Sequence, residues 1–216
     1  MLHTSPESEP FPSSDFDRWA THYDDDVRDE GFPLTGYQHV LIETVRLADA
    51  KAGMTILDLG VGTGNLSGKF AHLDCELYCT DFSNEMIEYA RKKIPLAHFF
   101  LHDLRQPFPP ALLRRFDRIV SAYVFHHFEL SEKIMIIERL VNQLLAPDGR
   151  LVIADISFPT RQEFNAVRQA ASDQWDDEPY WIVTDALPAL NAICTDVAYV
   201  QISSCAGIYQ LSRQGV

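Results

Sequence analysis

Residues 55–59, Thr55-Ile56-Leu57-Asp58-Leu59, form a short apolar run that breaks directly into Gly60-Val61-Gly62-Thr63-Gly64. That junction restricts the fold more than any other stretch of the chain. The run has the length of a buried strand, and glycines straight after it let the backbone turn tightly into a helix. The alternation then repeats. Glu76–Asp81, Ala97–His102, Phe116–Ala122 and Arg150–Ile156 read as strands. Residues 63–72, the segment capped by Ser83 and stopped by Pro95, and Leu130–Leu145 read as the helices between them. Regular β-α-β order predicts an α/β three-layer sandwich, with a mainly parallel sheet and right-handed crossovers. Val197–Ser203 and Gly207–Ser212 are too close in sequence for a crossover, so they predict an antiparallel hairpin.

Upstream of this core (residues 54–216) the pattern is helical. Ser14 with Asp17 three residues on resembles a capping box. Phe16, Trp19, Ala20 and Tyr23 then fall at i, i+3, i+4 and i+7, one stripe of a helix. A second helix is expected over Thr35–Ala50, so residues 13–53 form an N-terminal helical lid or cap. The stripe suits either a lid over a site or a fixed core face. Residues 1–12, with Pro6, Pro10 and Pro12, predict a disordered tail. Residues 157–194 are less regular, with helices near 160–174 and 180–193. Their aromatics, including Phe164, Trp175 and Trp181, suit a cover on one side of a site.

A chain of 216 residues suits one domain and buries enough surface to fold without a staple. Its 18 basic and 31 acidic side chains leave a net charge of −13, which repels phosphate backbones and anionic lipids. Nucleic-acid and membrane partners are therefore not expected. The N-terminus lacks the basic and apolar regions of a signal peptide, and no apolar run is long enough to span a bilayer. Cys75, Cys79, Cys194 and Cys205 do not make a disulfide framework at this size, which predicts reduced thiols in a cytoplasmic protein. They also lack the second Cys/His pair of a zinc site, so no metal is expected.

The glycine loop sits where an open α/β sheet binds ligands, at the carboxyl end of a strand. A dinucleotide fingerprint wants its third glycine where this chain has Asn65, which counts against a nicotinamide-dependent oxidoreductase. Asp81 ends the second strand, where a carboxylate can accept both hydroxyls of a ribose. Asp103, beside Leu104, ends the third, where a carboxylate next to an apolar residue can take an adenine amino group. Taken alone, Asp81 also suits a cap for the following helix, and Asp103 also reads as an ordinary turn residue.

Asp58-Leu-Gly60-Val-Gly62-Thr-Gly64, Asp81-Phe-Ser83 with Met86, and His102-Asp103 together resemble the cofactor motifs of class I S-adenosylmethionine-dependent methyltransferases. Phe16-Asp-Arg-Trp-Ala20 with Tyr23-Asp24, and Ile119 through Phe128, are most similar to the YrrT-like branch of bacterial methyltransferases. The resemblance covers residues 13–212. It implies a seven-stranded sheet in the order 3-2-1-4-5-7-6 with strand seven antiparallel. It implies S-adenosylmethionine as cofactor and S-adenosylhomocysteine as product. Gly60, Gly62 and Gly64 would pack on the methionine and ribose portion, and Asp58 would lie near the ammonium. Asp81 would hold the ribose, with Phe82 beside it, and Asp103 with Leu104 would hold the adenine. Ser121 would line the methionine part, and Trp19 and Tyr23 would close over it.

For the acceptor, His126-His127 follow the fourth strand, and His127 is the preferred proton acceptor, with Tyr23 the other catalytic candidate. No Asp/Asn-Pro-Pro-Tyr follows that strand, so methylation of nucleobase amines is not expected. A small-molecule acceptor and a monomer or homodimer are expected. The acidic run Asp176-Asp177-Glu178 reads as a solvated face. The alternative function is a catalytically silent cofactor-binding regulatory or scaffold protein of the same fold.

Overall fold

The computed structural model describes residues 13–27 and 31–212. The tail expected over residues 1–12 lies outside the described residues. One sheet is built from β1 (Thr55–Leu59), β2 (Glu76–Asp81), β3 (His98–Leu101), β4 (Phe116–Ala122), β5 (Leu145–Phe158), β6 (Trp181–Ile182), β7 (Asp196–Gln201) and β8 (Ala206–Ser212). Their order is β3-β2-β1-β4-β5-β8-β7, with β6 also paired to β5. Strands β1 to β5 are parallel, and β8 runs antiparallel to both β5 and β7. Apart from the two-residue β6, this is the order the resemblance implies. Strand β6 replaces the start of the helix expected at residue 180, because Trp181 and Ile182 pair with Ser157 and Phe158.

The two-residue period of the strands divides the core. Ile56, Cys79, Val120, Val152 and Ile208 pack in one cluster. Helices α3 (Tyr37–Ala48), α4 (Ser67–Phe70) and α5 (Asn84–Lys93) cover that face through Leu41, Phe70 and Ile87. Leu57, Leu59, Ile119, Ile153 and Tyr209 face the other way, onto α6 (Leu130–Arg139) and α8 (Val183–Ile193). Burying each such side chain contributes about 1.5–3 kcal/mol, so both layers are needed. Helix α3 belongs to this core, since Val40 and Leu41 are wholly buried.

Four local expectations change. The N-terminal stripe is not one helix: α1 (Ser13–Trp19) and α2 (Tyr23–Asp26) are separated by a turn. Asp17 does not cap its own helix but accepts from the Ser83 hydroxyl at 2.5 Å, at the start of α5. The helix expected over 63–72 shortens to α4, because the glycine loop and its turn run on to Leu66. Strand β5 starts at Leu145, five residues early. Phe116 pairs with Leu145, and the register then shifts before Arg118 meets Arg150. Between β5 and β6, α7 (Arg161–Ala171) lies over the sheet end as an amphipathic element with no fully buried residue.

Candidate active site

The carboxyl ends of β1, β2 and β4 converge on a cavity of about 470 Å³. Gly60, Gly62, Asp81, Phe82 and Tyr123 line it on the sheet side, and Trp19 and Tyr23 line it from the N-terminal segment. A smaller adjoining hollow shares Gly60, Asp81 and Phe82 and is completed by Asp103, Leu104 and Arg105. Of the expected site residues, all but Asp58, Gly64 and Ser121 line one of these two spaces.

The three glycines do different work. Gly60 has φ +68°, and a Cβ there would lie 2.3 Å from Val124 Cγ2. Gly62 has φ +52° and opens on free space. Gly64 faces away from the cavity: a Cβ there would meet Ala90 at 3.3 Å, so its role is the close approach of the loop to α5. Left-handed backbone explains glycine at all three positions. Tyr123 also has a positive φ, +58°, without that excuse. Such a conformation costs on the order of 1–3 kcal/mol and gathers at functional sites. Here it sets the Tyr123 ring beside Tyr37, with centroids 5.2 Å apart.

Asp81 is buried and accepts the Gly62 N–H at 2.8 Å and the Ser83 N–H at 2.9 Å, one on each oxygen. Burial pushes its carboxyl up to about 6, against the pull of the Ser83, Gly62 and Phe82 amides. Asp58 is buried deeper. Ser67 donates to Oδ2 at 2.6 Å, while Oδ1 is buried with no partner. Burial lifts its carboxyl to about 7. It borders a small space shared with Gly60, Gly62, Tyr23 and Tyr37. Asp103 is forked by the Arg105 guanidinium at 2.8–3.1 Å and accepts the Arg105 N–H. Its partial burial would raise its carboxyl, but Arg105 outweighs this and holds it below the ordinary range. Ser121 is fully buried, and its hydroxyl donates to the Leu59 carbonyl at 2.9 Å. It ties β4 to β1; its neighbours Ala122 and Tyr123 line the cavity instead.

The N-terminal segment is held over the loop by polar contacts. Asp24 accepts from Thr63 at 2.6 Å, Asn65 at 3.0 Å and Lys93 at 2.6 Å. Trp19 and Tyr23 pack edge to face, with centroids 4.7 Å apart. Burial pushes the Tyr23 phenol well above its ordinary value, so it stays protonated and is no base at neutral pH.

At the far end stand His126, His127 and Glu178. His127 Nδ1 lies 3.0 Å from Glu178 Oε1. His126 Nδ1 lies 2.6 Å from Asp155 Oδ1, and its Nε2 lies 3.5 Å from Glu178 Oε2. Asp155 is fully buried and also accepts from Trp181 Nε1 at 2.9 Å and the Ile156 N–H at 2.9 Å. Burial lowers the basicity of His127, helped by the neighbouring His126. For His126 the same burial is outweighed by Asp155, which raises it. The sequence pattern did not reveal Asp155 or Glu178 as site residues. Asp155 sits inside a strand, and Glu178 lies in what read as a solvated acidic run. Within that run Asp177 does face solvent, paired with Arg168 at 2.8 Å, whereas Glu178 turns inward.

A family model described as a methyltransferase domain matches residues 56–149. The chain is 35% identical over 188 residues to an uncharacterized methyltransferase of Geobacillus kaustophilus, covering 81% of this chain and 84% of that one. It is 32% identical over 190 residues to another from Bacillus pumilus, covering 82% and 83%. Among solved structures, magnesium protoporphyrin IX methyltransferase from Synechocystis, with S-adenosylhomocysteine bound, has TM-score 0.70 at 20% identity, covering 94% of this chain and 95% of that one. A complex of DhpI with S-adenosylmethionine has TM-score 0.70 at 18% identity, covering 91% and 94%. The sheet order and the glycine loop at its carboxyl edge define the same class, and the chain belongs to the class I S-adenosylmethionine-dependent methyltransferases. Among the described residues no helix is long and apolar enough to cross a membrane.

Proposed function

We propose that the protein transfers the methyl group of S-adenosylmethionine to a small-molecule acceptor held between the glycine loop and the His126–His127–Glu178 end of the cavity. The observation that carries this reading is the buried, unpartnered Oδ1 of Asp58 behind Gly60 and Gly62. A buried carboxylate oxygen without a partner is costly, and an ammonium group is the partner its chemistry asks for. Gly62 leaves room for a ligand against bare backbone, and the Asp81 carboxylate on the cavity wall suits ribose hydroxyls. Phe82, Leu104 and Asp103 form the hollow suited to adenine. The residues therefore fit the cofactor.

Bound there, the cofactor supplies a methyl group already activated on a sulfonium. The chain's own residues hold and align. Alignment of reacting groups contributes about 7–11 kcal/mol to a barrier, and a rigid loop whose glycines abut Val124 and α5 is suited to it. Trp19 and Tyr23 exclude water from the reacting centre. A small acceptor is favoured because residues of α1, α2 and the 176–178 segment border the cavity and narrow the space above the sheet ends. Titration calorimetry with S-adenosylhomocysteine tests the cofactor site, and the expected outcome is one site per chain. No binding at millimolar product overturns the reading. Binding without turnover on any amine, hydroxyl, thiol or carboxylate acceptor leaves the silent binding protein instead.

A further inference from the structure

We infer that His126, His127 and Glu178 form a site for one divalent transition-metal ion at the acceptor end of the cavity. Their ligand atoms lie within 4.8 Å of one another. Two ligands sharing a tetrahedral ion at zinc–nitrogen and zinc–oxygen distances lie about 3.4 Å apart. His127 Nδ1 lies 3.0 Å from Glu178 Oε1 and His126 Nε2 lies 3.5 Å from Oε2, so each imidazole stands near that spacing from its own oxygen of the one carboxylate.

The second observation is the support behind His126. Its Nδ1 faces Asp155, so Nε2 is the nitrogen turned toward Glu178. A carboxylate behind an imidazole is the arrangement that orients a metal-bound histidine and makes it a better donor. Asp155 is itself fixed by Trp181 and the Ile156 N–H, and is fully buried. Two carboxylates gathered around two histidines favour a cation, with Lys133 the nearby positive group: its Nζ is bonded to the Pro179 carbonyl and lies 4.8 Å from the Trp181 ring. Imidazole and carboxylate donors suit zinc, cobalt, iron or manganese better than a soft ion.

All three residues line the cavity that holds Gly60, Gly62 and Asp81. Three protein ligands leave at least one coordination position, and it opens toward the acceptor. That gives His127 the part of a ligand in place of a proton acceptor. Resting on the methyl-transfer reading, it also narrows the acceptor to a molecule that presents a hydroxyl or thiol. An ion held there would lower the pKa of that group, and its proton would pass to solvent. The oxygen or sulfur lone pair then forms the bond to the methyl carbon, as the carbon–sulfonium bond breaks and leaves its electrons on the cofactor sulfur.

Cobalt(II) titration of the full chain, followed by visible absorption and by competition with zinc, tests the site. One equivalent of cobalt should give ligand-field bands that zinc abolishes. Glu178→Gln and His127→Ala should each weaken cobalt binding at least tenfold. Product binding, measured in parallel, shows that each variant is folded. Failure of the wild type to take up cobalt or zinc overturns the inference, as does undiminished cobalt binding in both variants. Failure of wild-type product binding would instead overturn the methyl-transfer reading, since cobalt uptake does not depend on it.

Discussion

Asp81 has two tasks that its position at the tip of β2 does not separate. As a strand-end carboxylate it looks dispensable to the fold, yet it accepts N–H groups from both the glycine loop and the start of α5. Asp81→Ala orphans the buried Ser83 amide, at a cost of about 1–3 kcal/mol, and removes the partner of the half-buried Gly62 amide. The variant should therefore lose apo stability as well as at least tenfold in affinity for S-adenosylhomocysteine. The ribose role is isolated by comparing the product with its analogue lacking the ribose 2′-hydroxyl. The wild type should discriminate between them and Asp81→Ala should not, because the deleted partners belong to one interaction. Equal discrimination in both proteins, read by calorimetry, would assign Asp81 to structure alone.

At the scale of elements, the N-terminal segment differs from the layers beneath it. Helix α3 is core, but α2 has no fully buried residue, and among the described residues ahead of residue 28 only Ala20 and Val27 are buried. Polar contacts that hold α1 and α2 include Asp17 on Ser83 and Asp24 on Thr63, Asn65 and Lys93, and Phe16 packs edge to face on Phe82 with centroids 4.8 Å apart. An element with few buried apolar contacts opens at low free energy. Hydrogen exchange over residues 16–27 should therefore slow when S-adenosylhomocysteine binds, while β1 and β4 stay protected throughout. Asp24→Ala should speed exchange in this segment and weaken product binding several-fold, with a small change in melting temperature. Protection that is already high without ligand and unchanged with it would make the segment fixed core. Truncation should stop at residue 27, since Phe32 stacks on Trp175 with centroids 5.0 Å apart.

For the whole molecule, the buried carboxylates Asp58 and Asp81 tie stability to pH. Their folded values of about 7 and about 6 lie above the unfolded value near 3.9. Across the interval between, the native state binds more protons than the unfolded chain, so stability falls as pH rises from about 4 to about 7. Scanning calorimetry of the apo protein should show the melting temperature dropping between about pH 4.5 and about pH 7. Asp58→Asn keeps the Ser67 bond and removes one of these ionisations, so its drop should be shallower. A melting temperature that rises across this window in both proteins would mean that the two carboxylates are ionised in the fold at no cost. Binding of the product should flatten the same curve, because an ammonium beside Asp58 stabilises its charged form.

The sequence by itself determined the layers. Short apolar runs alternating with segments of helical period read as buried strands handing over to helices. Accordingly β2 and β4 begin and end where the runs do. The glycine loop and the two strand-tip carboxylates were legible too, because strand order and direction bring strand ends to one edge. Tertiary structure alone decided what those residues face. Ser121 and Gly64 fall in the right motif yet turn to Leu59 and Ala90, since the motif does not state which neighbour a side chain meets. Glu178 reaches His127 across 51 residues of chain, and Asp155 reaches His126 across 29. Neither pairing leaves a periodic signal, because a contact between distant elements depends on how the layers pack and on no local spacing.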